Sequence, residues 1–239
     1  ISADFARYMR DDILKNYGAD SIYFVGAIGG LIRLKELDKD YVRSTILGGQ
    51  SLARTAGAIE DERKLEPKIS LLRQEYFVDC ENILFSVIGQ VGIIKKQWYS
   101  TGEGALGISI KTEMTYMSIG DLNMILLPCE IFPELCYGGY LSAEESGEGK
   151  SPDINPEPLV KIAGDDNLLV FGVANDFTGY VVPPNDFMLP KELAYITTTK
   201  DRLGRSHYEE SNSLGPKTAQ IHAEVFKGVM ETERVRFLV

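Results

Sequence analysis

The sequence predicts a mixed α/β fold, a sheet with flanking helices, and three observations carry that prediction. A helical repeat near the start runs into a short β-rich apolar stretch and then a double glycine. Two strand-like segments meet at a tight turn in mid-chain. A helical pattern opens on Gly215-Pro216 and closes the chain.

In order, residues 2–17 read as a helix. Ser2 suits the N-cap and Asp4 the positively polarised first turn. Phe5, Met9 and Ile13 make one apolar stripe, and Gly18 ends it. Residues 21–27 read as a buried strand, followed by the turn Gly29-Gly30. A second helix is expected over 39–59, with Tyr41, Ile46, Leu47 and Leu52 as its apolar side and Gly48-Gly49 as a weak point. The stretch from Pro67 to Cys80 alternates like a strand, and Asn82 to Ile94 fits either a helix or a strand.

Residues 109–118 and 122–128 read as two strands joined by Ile119-Gly120-Asp121, and Pro133 starts a helix. Residues 141–158 are polar and rich in Gly and Pro: a solvated, flexible loop. Asn167 to Ala174 reads as a buried strand and Pro183-Pro184 as a turn. In the last helix Ala219, Ala223, Phe226 and Val229 face inward. No repeat or clean boundary interrupts residues 1–239, so a single domain is expected.

Composition narrows the function. The chain is 44% hydrophobic and 25% charged, in the globular range. Its net charge of -10 repels phosphate backbones, so nucleic acid is not an expected partner. No apolar run reaches the roughly 20 residues needed to span a bilayer. Cys80, Cys129 and Cys136 are too few and too scattered for a disulfide framework, and read as buried thiols. The chain opens at Ile1 without Met, and further sequence upstream is expected.

Three segments carry candidate chemistry. Glu130, in Leu127-Pro128-Cys129-Glu130-Ile131-Phe132-Pro133-Glu134, sits between a strand and a helix, where α/β folds place ligands. Its carboxylate suits a cation or a proton transfer; alternatively, Glu130 and Glu134 serve only the helix N-terminus. Tyr180 follows a strand exit through Asn175, Asp176 and Gly179, either as a phenol that ionises beside a metal or as cover for the sheet end. Tyr208 lies in a polar stretch before the last helix, placed to donate to an oxyanion or simply part of a helix entry capped by Asn212 or Ser213. Histidine is scarce: His207 and His222 only. Catalytic zinc usually takes three protein ligands, with His among them, so a complete site within this chain would need His207. His222, inside the last helix, reads as structural.

Together these segments resemble the neutral/alkaline ceramidases, non-lysosomal amidases with a buried zinc. That family carries Leu-Pro-Gly-Glu-x-Phe, similar to Leu127-Pro128-Cys129-Glu130-Ile131-Phe132 with Cys129 in place of Gly. Its Ala-Asn-x-(Tyr/Phe)-x-x-Tyr exit is similar to Ala174 through Tyr180, and its Tyr-Glu-x-x-Ser…Gly-Pro motif to Tyr208 through Pro216, one residue shorter. Thr112-Glu113 and Ser2-Ala3-Asp4 also look like family landmarks.

The resemblance implies the C-terminal portion of a ceramidase-like catalytic domain, with Glu130 and Tyr180 as zinc ligands and Tyr208 as the catalytic hydroxyl. It places the family's two zinc-binding His upstream of Ile1, so the metal shell would be completed there. The family's nucleophilic Ser falls at Ile32, which cannot attack a carbonyl. Gly29, Gly30 and Arg33 become candidates for substrate binding. The expectation is a zinc-dependent amide hydrolase acting on a small molecule or lipid such as a sphingolipid, in an extracellular, periplasmic or cell-surface setting with peripheral membrane contact. The alternative, drawn from Ile32, is a non-catalytic lipid- or glycan-binding relative.

Overall fold

The structure, a computed structural model, describes residues 3–31, 37–60 and 63–236. The chain divides into two compact units, one of residues 1–24 and 31–65, the other of residues 25–30 and 66–239.

The first unit is a helix pair. Helix α1 (Asp4–Tyr17) ends where Gly18 turns left-handed and its N–H donates to the Leu14 carbonyl. The expected cap, Ser2, lies outside the described residues. Helix α2 (Tyr41–Gly57) is capped by Asp40, whose carboxylate accepts from the Val42 and Arg43 N–H groups. Gly48 and Gly49 are buried in it. A side chain at Gly49 would sit 2.5 Å from the Phe5 carbonyl oxygen of α1. The double glycine therefore lets the two helices close on each other, and this contact offsets the propensity cost of about 1 kcal/mol per glycine. The expected buried strand over 21–27 does not form. Ile22 is 79% and Phe24 62% exposed, and residues 21–26 join no ladder.

The second unit is built on a five-stranded sheet. Strand β1 (Ile69–Asp79) pairs antiparallel along β3 (Ile108–Ile119), with Tyr76 opposite Thr112. On the other edge of β3 lie β2 (Trp98–Ser100) and, further along, β4 (Leu122–Leu126), reached through the expected turn at Gly120-Asp121. Strand β6 (Leu169–Phe171) runs parallel to β4. Two smaller ladders follow. The parallel pair joins β5 (Glu130–Ile131) to β7 (Tyr180–Val181), and the antiparallel pair joins β8 (Thr199–Lys200) to β9 (Ser206–His207).

Helix α3 (Ile83–Gln90) resolves the ambiguous apolar stretch as helical, capped by Asn82. Short helices α4 (Pro133–Tyr137, with Pro at its start) and α5 (Leu159–Ala163) lead to α6 (Thr218–Arg236), which packs on β1 and α5. The inward residues expected for α6 are buried: Ala219, Ala223, Phe226 and Val229. They meet Ile110, Met114 and Ile125 of the sheet, and Leu127 just past β4, in one apolar core. The fold is thus mixed α/β, a sheet with flanking helices.

Residues 141–158 are mostly coil, as expected, but their middle is not a solvated loop. Ser146 is fully buried, and Arg202 donates to the Ala143 and Ser146 carbonyls. The Gly147 N–H donates to the Asp186 carboxylate. These bonds satisfy backbone groups that composition alone assigns to water.

Candidate functional site

The β5–β7 ladder brings the first two candidates together. Its parallel register sets Glu130 opposite Tyr180. The chain reaches this register through a braid of backbone bonds. After β6, the Val173 N–H donates to Cys129, Ala174 to Leu127 and Thr178 to Pro128; Glu130 then donates to Gly179, and Phe132 to Val181. Val173 and Asn175 adopt positive φ of 52° and 68° to make this exit, a strained choice for a β-branched residue that the surrounding bonds hold in place.

Tyr208 arrives from the other side. It precedes the 3-10 turn Glu209–Asn212, and a parallel bridge joins Tyr180 to Ser213 just beyond that turn. Gly179 makes the approach possible. Its φ is +89°, and a side chain there would lie 2.1 Å from the Asn212 carbonyl oxygen. The rings of Tyr180 and Tyr208 meet edge to face, centroids 6.0 Å apart. Desolvation, then the Tyr208 hydroxyl and the Glu130 carboxylate, hold the Tyr180 phenol well above its ordinary pKa. Glu130, Tyr180 and Tyr208 therefore form one cluster.

The glycine turn flanks this cluster. The Gly29 N–H donates to the Ile131 carbonyl at 2.8 Å. A side chain at Gly29 would stand 2.5 Å from the Phe132 nitrogen, and one at Gly30 (φ +73°) 2.8 Å from the Phe132 ring. Gly29 and Gly30 thus lie against β5, two residues from Glu130. Arg33 and Ile32 lie outside the described residues.

His207 does not join the cluster as a free ligand. Its Nδ1 is 2.7 Å from the Glu210 carboxylate and its Nε2 3.5 Å from that of Asp201. Asp201 also accepts from Arg205 at 2.6 Å. The Glu210 carboxylate above all, with Asp186 and Asp201 adding, raises the imidazole pKa to about 9 against the opposing effect of burial. His222 is structural, as expected: Nδ1 bonds to the Thr218 carbonyl at 2.8 Å, and burial lowers its pKa to about 4. All three cysteines are buried free thiols.

Among the described residues no group of three or more His, Cys, Asp or Glu side chains is placed to hold a metal. The donor set here is different: one carboxylate and one phenol at facing positions, with a second hydroxyl beside them. Oxygen donors of this kind suit zinc as part of a shell, and a cation would reverse the Tyr180 shift by favouring the phenolate. One carboxylate and one phenol are fewer than the three protein ligands usual for catalytic zinc.

Sequence reading missed several supporting residues. Asp176 accepts from Lys96 at 2.7 Å and from Thr112 at 2.9 Å, which ties the strand exit to β3. The buried Asn82 amide donates to the Ser211 and Ser213 carbonyls and fixes the Tyr208 turn. These partners are far apart in sequence, and no local pattern announces them. An apolar cleft of about 180 Å³ lies beside the cluster, lined by Phe85, Ile94, Trp98, Phe177 and Gly179 among others. A larger cleft, about 410 Å³ at the start of β1, contains none of the candidate residues.

Against known proteins, no family model and no curated protein sequence matches the chain. Solved structures do. The chain is similar to the neutral ceramidase from Pseudomonas aeruginosa, with a TM-score of 0.55 and 14% identity over 99% of this chain and 41% of that one. It is also similar to a ceramidase complexed with C2, with a TM-score of 0.56 and 13% identity over 99% of this chain and 43% of that one. The shared feature is the fold, and the chain spans about two-fifths of each of these structures.

Proposed function

We propose that this chain forms part of a ceramidase-like, zinc-dependent hydrolase of amide or related bonds, its metal shell completed by sequence upstream. The observation that carries the reading is the pairing of Glu130 and Tyr180 on two short strands with the Tyr208 ring against Tyr180, within a ceramidase-like fold.

In this reading Glu130 and Tyr180 would hold zinc, which when bound supplies Lewis acidity and a water of lowered pKa. The neighbouring groups do the rest. Tyr208, edge-on to Tyr180, donates its hydroxyl proton in a hydrogen bond to the oxygen of the scissile carbonyl, where negative charge grows as water adds. Water adds to the carbonyl carbon, the C–N bond breaks, and the amine leaves with a proton. Gly29 and Gly30 let their turn close directly onto Phe132, beside β5, because a side chain at either would meet Phe132. Arg33 follows that turn and would pair with an anionic substrate group. Ceramide-class amphiphiles are the first substrates to assay, given the fold.

Ile32 favours a second reading, a relative that binds a lipid or glycan without turning it over. Assays of an N-acyl sphingoid base with the intact protein separate the two. Hydrolysis that falls on the order of 100-fold in Tyr208→Phe supports the hydrolase. Binding without turnover, unchanged in Tyr208→Phe, supports the binder.

A further inference from the structure

We propose that β1, the long edge of the five-stranded sheet, pairs antiparallel with β1 of a second copy of this chain, centred on Gln74. The first observation is that this edge carries none of the usual guards. β1 is 11 residues long, and among the described residues β3 is its only partner strand. Its register against β3 runs from Ile69 opposite Ile119 to Asp79 opposite Ser109 without a bulge. It contains neither Pro nor Lys, and its core-facing side chains, Ser70, Leu72, Gln74, Tyr76 and Val78, are uncharged. Pro, Lys, a bulge or an inward charge is what normally blunts an edge of this length.

The second observation is that the middle of the edge is open on both sides of the sheet. Successive side chains of a strand point to opposite faces, yet Arg73, Gln74 and Glu75 are all exposed. The Gln74 amide turns back to donate to the carbonyl of its neighbour Glu75 at 2.7 Å, an exposed local bond. The strand itself is fixed from behind, with Tyr76 and Val78 buried in the core.

The third observation is charge, and it selects a second copy as the occupant. In an antiparallel pair centred on Gln74, position 73 lies opposite position 75. Arg73 then faces the partner's Glu75, and twofold symmetry repeats the contact on the other side of the axis. On the same face Leu71 and the partner's Phe77 lie opposite each other, side chains 53% and 45% exposed. Within each copy Glu75 already holds Lys111 at 2.7 Å, and Arg73 pairs with Glu113. The dimer joins these pairs into one band of alternating sign: Lys111, Glu75, the partner's Arg73 and the partner's Glu113. The same charges fix the register. A slip of two residues sets Arg73 against Arg73 or Glu75 against Glu75, and parallel in-register pairing does both. The pairing does not depend on the hydrolase reading.

The experiment is sedimentation of the intact protein, upstream sequence included, across the micromolar range. The parent should move between monomer and dimer with concentration, and amide hydrogen exchange in β1 should slow as the dimer forms. Arg73→Glu alone and Glu75→Arg alone each set like charges opposite each other at both crossings, and each should weaken the dimer about tenfold or more. Mixed one to one, the two variants bring opposite charges together again, and the mixture should dimerise within about threefold of the parent. Recovery on mixing separates a contact across the interface from local damage to either fold, because each variant keeps its own altered strand. A protein that stays monomeric throughout would overturn the proposal. So would a dimer that both single variants leave intact, a mixture no stronger than the variants alone, or β1 exchange that ignores concentration.

Discussion

Replacing His207 with Gln tests the buried ion cluster that supports Tyr208. In the folded protein the imidazole faces Glu210 and Asp201, with Arg205 behind Asp201 and Asp186 nearby, and only 7% of the side chain is exposed. Its pKa rises from 6.5 to about 9. Because the folded value is the higher one, the stabilisation is whole below pH 6.5 and is lost as pH rises through 9. Linkage over that interval gives about 3 kcal/mol at pH 6, about 2 at pH 7.5 and under about 0.5 at pH 9. Water reaching the half-exposed Arg205 screens part of this, leaving about 2 kcal/mol at pH 6. For a chain of this size that corresponds to a Tm about 4–8 °C lower for His207→Gln at pH 6. Thermal unfolding of both proteins, followed by circular dichroism at pH 6 and pH 10, is the assay. The gap should be wide at pH 6 and nearly closed at pH 10. An equal gap at both values would refute an imidazolium held between carboxylates.

Two further substitutions probe the scaffold. Gly89→Ala would place a methyl group 2.2 Å from the Trp98 ring. Overpacking costs about 1–3 kcal/mol, partly offset by better helix propensity, so a loss near 1–2 kcal/mol with shifted Trp98 emission is expected in urea unfolding. Asn82→Ala removes the α3 cap and leaves the Ser211 and Ser213 carbonyls without that donor. The expected loss is about 2–4 kcal/mol, and proteolysis should reach the Glu209–Asn212 turn sooner than in the parent protein.

Much of this fold is legible in the residues because local chemistry decides it. Gly18 stops α1, Pro133 starts α4, Gly120-Asp121 turns β3 into β4, and the periodicity of α6 names its buried face. Sequence reading fails where tertiary contact overrides local pattern. Ile22 and Phe24 look like a strand, but composition cannot supply the neighbouring strand that a ladder requires. Gly48-Gly49 looks like a defect in α2 until Phe5 of α1 is seen against it. Residues 141–158 look solvated, yet Asp186 and Arg202 bind their backbone from 39 and 56 residues away. The candidate site divides in the same way. Glu130, Tyr180 and Tyr208 stand in recognisable motifs, whereas the supports that bring them together, Asn82, Asp176 and the close approach of Gly179 to Asn212, connect segments with no shared local pattern.

The central claim is that Glu130 and Tyr180 are two ligands of a zinc ion. The most direct test is elemental mass spectrometry of the intact protein, upstream sequence included, beside Glu130→Ala and Tyr180→Phe. Near-stoichiometric zinc in the parent is the predicted result, with about 10- to 100-fold weaker retention in Tyr180→Phe and none in Glu130→Ala. Zinc-free parent protein, or zinc held equally by all three, would contradict the account.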